Sequence, residues 1–148
     1  VRQAGFSETP VLAPATETTP RADPAGRLLI AEDNEDTREL LRELFTSFGW
    51  EVFEADDGEA AWALLPSVRP DVLLTDVHMP RLTGLDLTRR LRADPVWGAL
   101  PVVIHTAVAM RGDEERCLGA GANAYFAKPV DLRRLESALR GLIRGANA

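Results

Sequence analysis

The sequence predicts an α/β domain: a doubly wound, five-stranded parallel sheet with five helices on its faces. Three observations predict it. Short apolar runs, of the kind seen in strands buried on both faces, recur along the chain after residue 26. Helical stretches alternate with them, and alternating strand–helix units give parallel strands joined by right-handed crossovers. The residues able to do chemistry fall just after the runs, where sheets of this kind keep their working sites.

Each element has its own justification. Leu28-Leu29-Ile30-Ala31 is the first buried strand. Asp36 to Phe48 follows as a helix, with Leu40, Leu41, Leu44, Phe45 and Phe48 read as one apolar stripe and Gly49 as the stop. Val52 to Ala55 is the second strand. Gly58 to Leu65 is a helix stopped by Pro66. Val72 to Thr75 is the third strand and runs into Asp76, and Leu85 to Leu91 is the third helix. Val102 to Ile104 is the fourth strand and ends at His105-Thr106. Glu114 to Leu118 lies in a fourth helix that stops near Gly119 and Gly121. Ala124 to Ala127 is the fifth strand. Leu132 to Ile143 is the closing helix, with Leu132, Leu135, Leu139 and Leu142 on one side and Asp131 as its N-cap.

Residues 1–26 read differently. Pro10, Pro14, Pro20 and Pro24 stand among Ala, Thr and Glu without apolar periodicity, so this stretch is expected to be a flexible arm or linker, with the folded domain over 27–148. The chain has 148 residues, enough for one domain with a real core. Its net charge of -6 argues against direct nucleic-acid binding, which needs clustered Lys and Arg. The single cysteine, Cys117, cannot form an internal disulfide and reads as a small apolar residue of the fourth helix. No apolar run approaches the roughly 20 residues that span a bilayer, and no signal-peptide pattern opens the chain. A cytoplasmic setting without membrane contact is the expectation.

Four strand ends carry the chemistry. Glu32-Asp33 follows the first strand, Asp76 ends the third, Thr106 the fourth, and Lys128 follows the fifth. Taken singly, each has a bland reading: acids favour a helix start, an Asp before a loop is a turn residue, and a Lys-Pro is a solvated loop. Their joint placement is harder to explain that way. Three converging carboxylates repel one another, and a hard divalent cation such as Mg²⁺, or Mn²⁺ in its place, resolves the repulsion. A Lys beside them adds positive charge and a Thr hydroxyl adds a donor. Together they suit a transferring phosphoryl group, with Asp76 as the nucleophile.

These residues resemble the receiver domain of two-component response regulators, such as the bacterial chemotaxis regulator. The likeness lies in Leu28-Leu29-Ile30-Ala31-Glu32-Asp33-Asn34, Leu73-Leu74-Thr75-Asp76-Val77-His78-Met79-Pro80, Thr83-Gly84-Leu85-Asp86, Pro101 to Ala107, Gly119 to Ala122, and Lys128-Pro129. The resemblance implies a flavodoxin-like sheet in the order 2-1-3-4-5. It implies that Asp76 takes a phosphoryl group from a phosphohistidine on a histidine kinase or phosphotransfer protein. Asp33, Glu32, Asp76 and the main-chain carbonyl of His78 would bind the metal. Lys128 would pair with phosphoryl oxygens across a cis Lys128–Pro129 bond. Thr106 and Tyr125 would switch together, and Ala107 would leave the phosphate site open. The face of the fourth helix, fifth strand and fifth helix, with Arg111, Arg116, Tyr125, Arg133 and Arg134, would meet a downstream protein target. A phosphorylation-dependent dimer is a further expectation.

Departures from the family pattern are informative. Glu32 stands where Asp is more usual, and its extra methylene bears on metal geometry. His78 lies two residues after Asp76, where it would tune phosphoryl lifetime or simply be an exposed loop residue. His105 replaces an aliphatic residue. It reads as a core His with a hydrogen-bonded nitrogen, not a metal ligand, because strand alternation points it away from Thr106. Trp50 is expected to cover the end of the second strand, Trp62 to lie on a helix and Trp97 in a loop.

The competing readings are a pseudo-receiver that only docks and a phosphatase of the haloacid dehalogenase type with its nucleophile at Asp33. The second leaves Asp76 unexplained. No GxxxxGK[ST] or GxGxxG turn supports a nucleotide-binding domain. The start at Val1 and the Pro-rich arm favour the terminal receiver of a hybrid histidine kinase over a stand-alone regulator.

Overall fold

The computed structural model describes residues 25–107, 109–127 and 131–147. Strands and helices alternate along it: β1 (Gly26–Ala31), α1 (Glu35–Ser47), β2 (Trp50–Ala55), α2 (Gly58–Val68), β3 (Val72–Asp76), α3 (Gly84–Arg92), β4 (Val102–Thr106), α4 (Asp113–Ala120), β5 (Ala124–Ala127) and α5 (Leu132–Asn147). The strands form one parallel sheet in the order β2-β1-β3-β4-β5, as expected. Of the arm expected over residues 1–26, residues 1–24 lie outside the described residues. Ala25 and Gly26 belong with the sheet: the Ala25 N–H donates to the Gly49 carbonyl at 3.0 Å, and Gly26 opens β1.

Strand alternation divides the buried side chains between two cores. Leu28, Ile30, Leu74 and Val103 pack with Leu41 and Phe45 of α1 and Leu135 and Leu139 of α5. Leu29, Leu73, Val102 and Ile104 pack with Leu65 of α2, Leu87 and Leu91 of α3 and Cys117 of α4. Each fully buried Leu or Phe stabilises the fold by about 1.5–3 kcal/mol. Phe45 adds edge-to-face contacts with Phe48 and Trp50, at ring-centroid distances of 6.0 and 6.5 Å.

Helix boundaries show where packing overrode local signals. Leu40 does not belong to the α1 stripe. It is 57% exposed, because it sits about a quarter turn off the arc centred on Leu41, Phe45 and Phe48. Pro66 does not end α2. The helix continues to Val68 and closes on Arg69 in the left-handed region, φ 50, whose N–H reaches the Leu65 carbonyl at 2.9 Å. Pro66 removes one helical donor near the end, and burial of Leu65 and Val68 holds the last turn. In α4, Gly119 lies inside the helix and Gly121 is the stop, at φ 113.

α5 closes one face of the sheet. Asp131 caps it, its side chain accepting from the Arg133 N–H at 3.0 Å. The Trp50 indole N–H donates to Glu136 Oε2 at 2.9 Å, and Arg140 pairs with Glu136 and donates to the Phe48 carbonyl. Trp50 opens β2 rather than covering its end. Trp62 lies on α2 beneath the Arg90 guanidinium, and Trp97 packs from its loop onto the α2–α4 core. Among the described residues no helix is long and apolar enough to cross a membrane.

Candidate functional site

The crossover from β1 runs one way to β2 and the crossover from β2 runs the other way to β3, so the direction reverses between the neighbouring strands β1 and β3, at their carboxyl ends. The register fixes what meets there. Ala31 pairs with Thr75, so Glu32 and Asp76 leave the sheet side by side, and Asp76 in turn pairs with His105 of β4. One carboxylate oxygen each from Glu32, Asp33 and Asp76 lies within 4.8 Å of the others. Glu32 and Asp76 are buried and Asp33 is exposed, so the cluster opens to solvent on one side. An all-oxygen, all-carboxylate donor set of this kind fits Mg²⁺, which keeps several waters of its own.

Main-chain and side-chain contacts hold the acids in place. Glu32 Oε2 accepts from the Asn34 N–H at 3.1 Å, and the Glu32 carbonyl accepts from Arg38 Nη1 at 2.8 Å. Asn34 also caps α1 through Thr37 N–H at 2.8 Å. Asp76 Oδ1 accepts from the His78 N–H at 3.3 Å. The loop after Asp76 then returns tightly over the strand end. Gly84 is required there by close approach: a Cβ would stand 2.1 Å from the Asp76 carbonyl oxygen. Arg81, at φ 67, turns the same loop and pairs with Asp57, a buried carboxylate that caps α2 through the Ala60 N–H at 2.7 Å.

The expected switch residues share the other side of the sheet. Thr106 is buried at the end of β4, opposite in parity to His105, and pairs with Ala127. Tyr125 packs with the α2–α4 core, and its hydroxyl is buried near α4. Burial raises the Tyr125 pKa, with Asp113 acting in the same direction. Lys128 and the Lys128–Pro129 peptide bond lie outside the described residues.

Three participants were missed in the sequence. Asp113 is buried at the start of α4 and held ionised, below the ordinary carboxylate range, first by the Met110 N–H at 2.8 Å and then by Arg116 and His78. His78 Nε2 lies 3.9 Å from Asp113 Oδ2, so the loop after Asp76 reaches α4. The Asp57–Arg81 pair is the second, signalled only by an Asp-Asp-Gly before a helix. The third is the position of His105. Alternation does turn it away from Thr106, but that is the face bearing Glu32 and Asp76, and His105 Nε2 is 3.6 Å from Glu32 Oε1.

The family model described as the response regulator receiver domain matches residues 28–140. This chain belongs to the response regulator receiver domain family. The receiver is 35% identical over 119 residues to the polar-differentiation response regulator DivK of Brucella anthropi, covering 80% of this chain and 97% of that one. It resembles the receiver domain of a signal transduction histidine kinase from Syntrophus aciditrophicus with a TM-score of 0.76 at 31% identity, covering 81% of this chain and 91% of that one. It resembles equally the receiver domain of a sensor histidine kinase from Pseudomonas aeruginosa, TM-score 0.73 at 34% identity, covering 80% and 97%. That structure holds a magnesium ion coordinated in its active site cleft. The chain is thus a receiver of the two-component type.

Proposed function

We propose that this receiver accepts a phosphoryl group on Asp76 from a phosphohistidine of a histidine kinase or phosphotransfer protein. The observation that supports this most is the meeting of Glu32, Asp33 and Asp76 at the switch point, with ligand oxygens within 4.8 Å. Glu32, Asp33, Asp76 and the main-chain carbonyl of His78 would hold Mg²⁺ or Mn²⁺, which when bound supplies positive charge against the acids and the phosphoryl oxygens. The magnesium in the Pseudomonas aeruginosa neighbour supports that assignment.

The chain's own residues do the rest. Asp76 is the nucleophile: a carboxylate oxygen bonds to phosphorus as the P–N bond breaks, its electron pair remaining on the donor imidazole. The His78 N–H orients Asp76 Oδ1. Gly84 and the Arg81–Asp57 pair hold the loop close over the strand end. Lys128 follows Ala127, the residue in register with Thr106, and would pair with phosphoryl oxygens. Thr106 and Tyr125 carry the change to the face of α4, β5 and α5, where exposed Arg111, Arg116, Arg133 and Arg134 meet a protein target.

Beryllofluoride, an acyl-phosphate mimic, tests this reading. Mg²⁺-dependent binding that shifts the amide signals of Thr106 and Tyr125 is expected. Absence of Mg²⁺-dependent binding would leave a docking module without phosphoacceptor chemistry.

A further inference from the structure

We propose that His105 is a positioning residue for Glu32, fixing the carboxylate of that metal-binding acid and so setting the affinity of the site for divalent cations. The inference rests on the reading of the acidic cluster given above.

Register and alternation place the two groups together. Asp76 of β3 pairs with His105 of β4, and Glu32 leaves β1 beside Asp76, so the three side chains form a row on one face of the sheet. His105 is 1% exposed and Glu32 is 2% exposed. Their closest polar atoms, Nε2 and Oε1, are 3.6 Å apart, too long for a direct hydrogen bond and short enough for packing and electrostatic contact. The other carboxylate oxygen, Oε2, is held by the Asn34 N–H. Glu32 is therefore supported on one oxygen by main chain and faced on the other by the imidazole.

The chemistry explains why a histidine serves there. Glu has one more rotatable bond than Asp, so its carboxylate needs more support to stay in a metal-binding pose. An aliphatic neighbour would press hydrocarbon against a buried anionic oxygen, which is a costly contact. The edge of an imidazole ring is polar and fills the space, so the carboxylate stays aimed at Asp33 and Asp76. Outer groups that orient ligating carboxylates have measurable weight in metal affinity.

Mg²⁺ titration of the full chain, followed by calorimetry or by amide shifts around Asp33, tests the proposal. Asp76→Asn serves as the control for the cluster itself. His105→Val should weaken Mg²⁺ binding by about tenfold, and His105→Gln, which keeps a polar edge toward the carboxylate, should recover most of the loss. In an Glu32→Asp background the shorter side chain cannot reach the imidazole, so adding His105→Val should change affinity by less than about twofold. His105→Met, an apolar variant of different shape, replaces His105→Val in both comparisons if the latter does not fold. Equal Mg²⁺ affinity in the wild type and the apolar variant would overturn the proposal while leaving the acidic cluster as a metal site. An undiminished effect in the Glu32→Asp background would overturn it too, by showing a general packing defect. If the wild type binds no Mg²⁺, or Asp76→Asn leaves binding unaltered, the reading of the cluster falls and this inference with it.

Discussion

A carboxylate at the end of a strand becomes useful only through what surrounds it. Asp76 is buried, shares its site with two other acids, and has one oxygen turned toward the His78 N–H. His78 contributes its main chain there, while its side chain extends to Asp113 on α4. We expect His78→Ala to speed loss of the phosphoryl group, because the ring stands beside the loop where water would approach. An unchanged rate of phosphate release from the phosphorylated protein would remove His78 from the account. Gly84 makes a stricter demand. Gly84→Ala places a methyl group 2.1 Å from the Asp76 carbonyl, so the loop must move. The expected cost is about 1–3 kcal/mol in denaturant melts, with weaker Mg²⁺ binding. Among single residues, the meeting of Glu32, Asp33 and Asp76 was legible from the sequence because each follows or ends a strand at the same sheet edge, whereas Gly84 came only with the family resemblance. Asp57 and Asp113 were not legible: the Arg81 partner of Asp57 comes from a loop 24 residues on, and Asp113, though its partners Met110 and Arg116 are local, is buried by packing that the sequence does not display.

Elements are held by packing more than by their local signals. α2 passes through Pro66 because Leu65 and Val68 are both buried. α1 leaves Leu40 in solvent although its neighbours in sequence are apolar, because only one arc of a helix can face the sheet. Strand identity was easier to read than helix ends: β1, β3 and β4 are short apolar runs, and their burial on both faces leaves little room for another reading. The loop between β3 and α3 depends on an element that precedes it by many residues. Asp57 both caps α2 and pairs with Arg81. Asp57→Ala should therefore cost about 2 kcal/mol of stability from the cap alone and loosen the loop after Asp76. Thermal melts check the first effect. Hydrogen exchange at Arg81 and Leu82 checks the second, and unchanged protection there would contradict the link.

Over the whole molecule, the two sides of the sheet divide the work. Glu32, Asp76 and His105 stand in a row on the α1 and α5 side, while Thr106 and Tyr125 belong to the α2–α4 side. That division follows from strand order and parity, which the sequence carried. The contact between His105 and Glu32 did not follow, because alternation names a face but not the neighbours on it. The charge arrangement also sets pH behaviour. The Asp113 pKa is lowered in the folded state, so its stabilisation is present above the ordinary carboxylate value of about 4 and is lost as pH falls through the folded pKa. The Tyr125 pKa is raised, so its contribution is intact below about pH 10 and is lost as pH rises through the folded pKa. Asp113→Asn should flatten the acid side of the stability curve and Tyr125→Phe the alkaline side, both read from urea melts across pH. The central claim remains the acceptor role of Asp76. Incubation of the intact protein with a small acyl phosphate and Mg²⁺, followed by intact-mass measurement, tests it most directly. The account predicts the mass of one phosphoryl group on the wild type and none on Asp76→Asn, whereas equal incorporation in the two would contradict it.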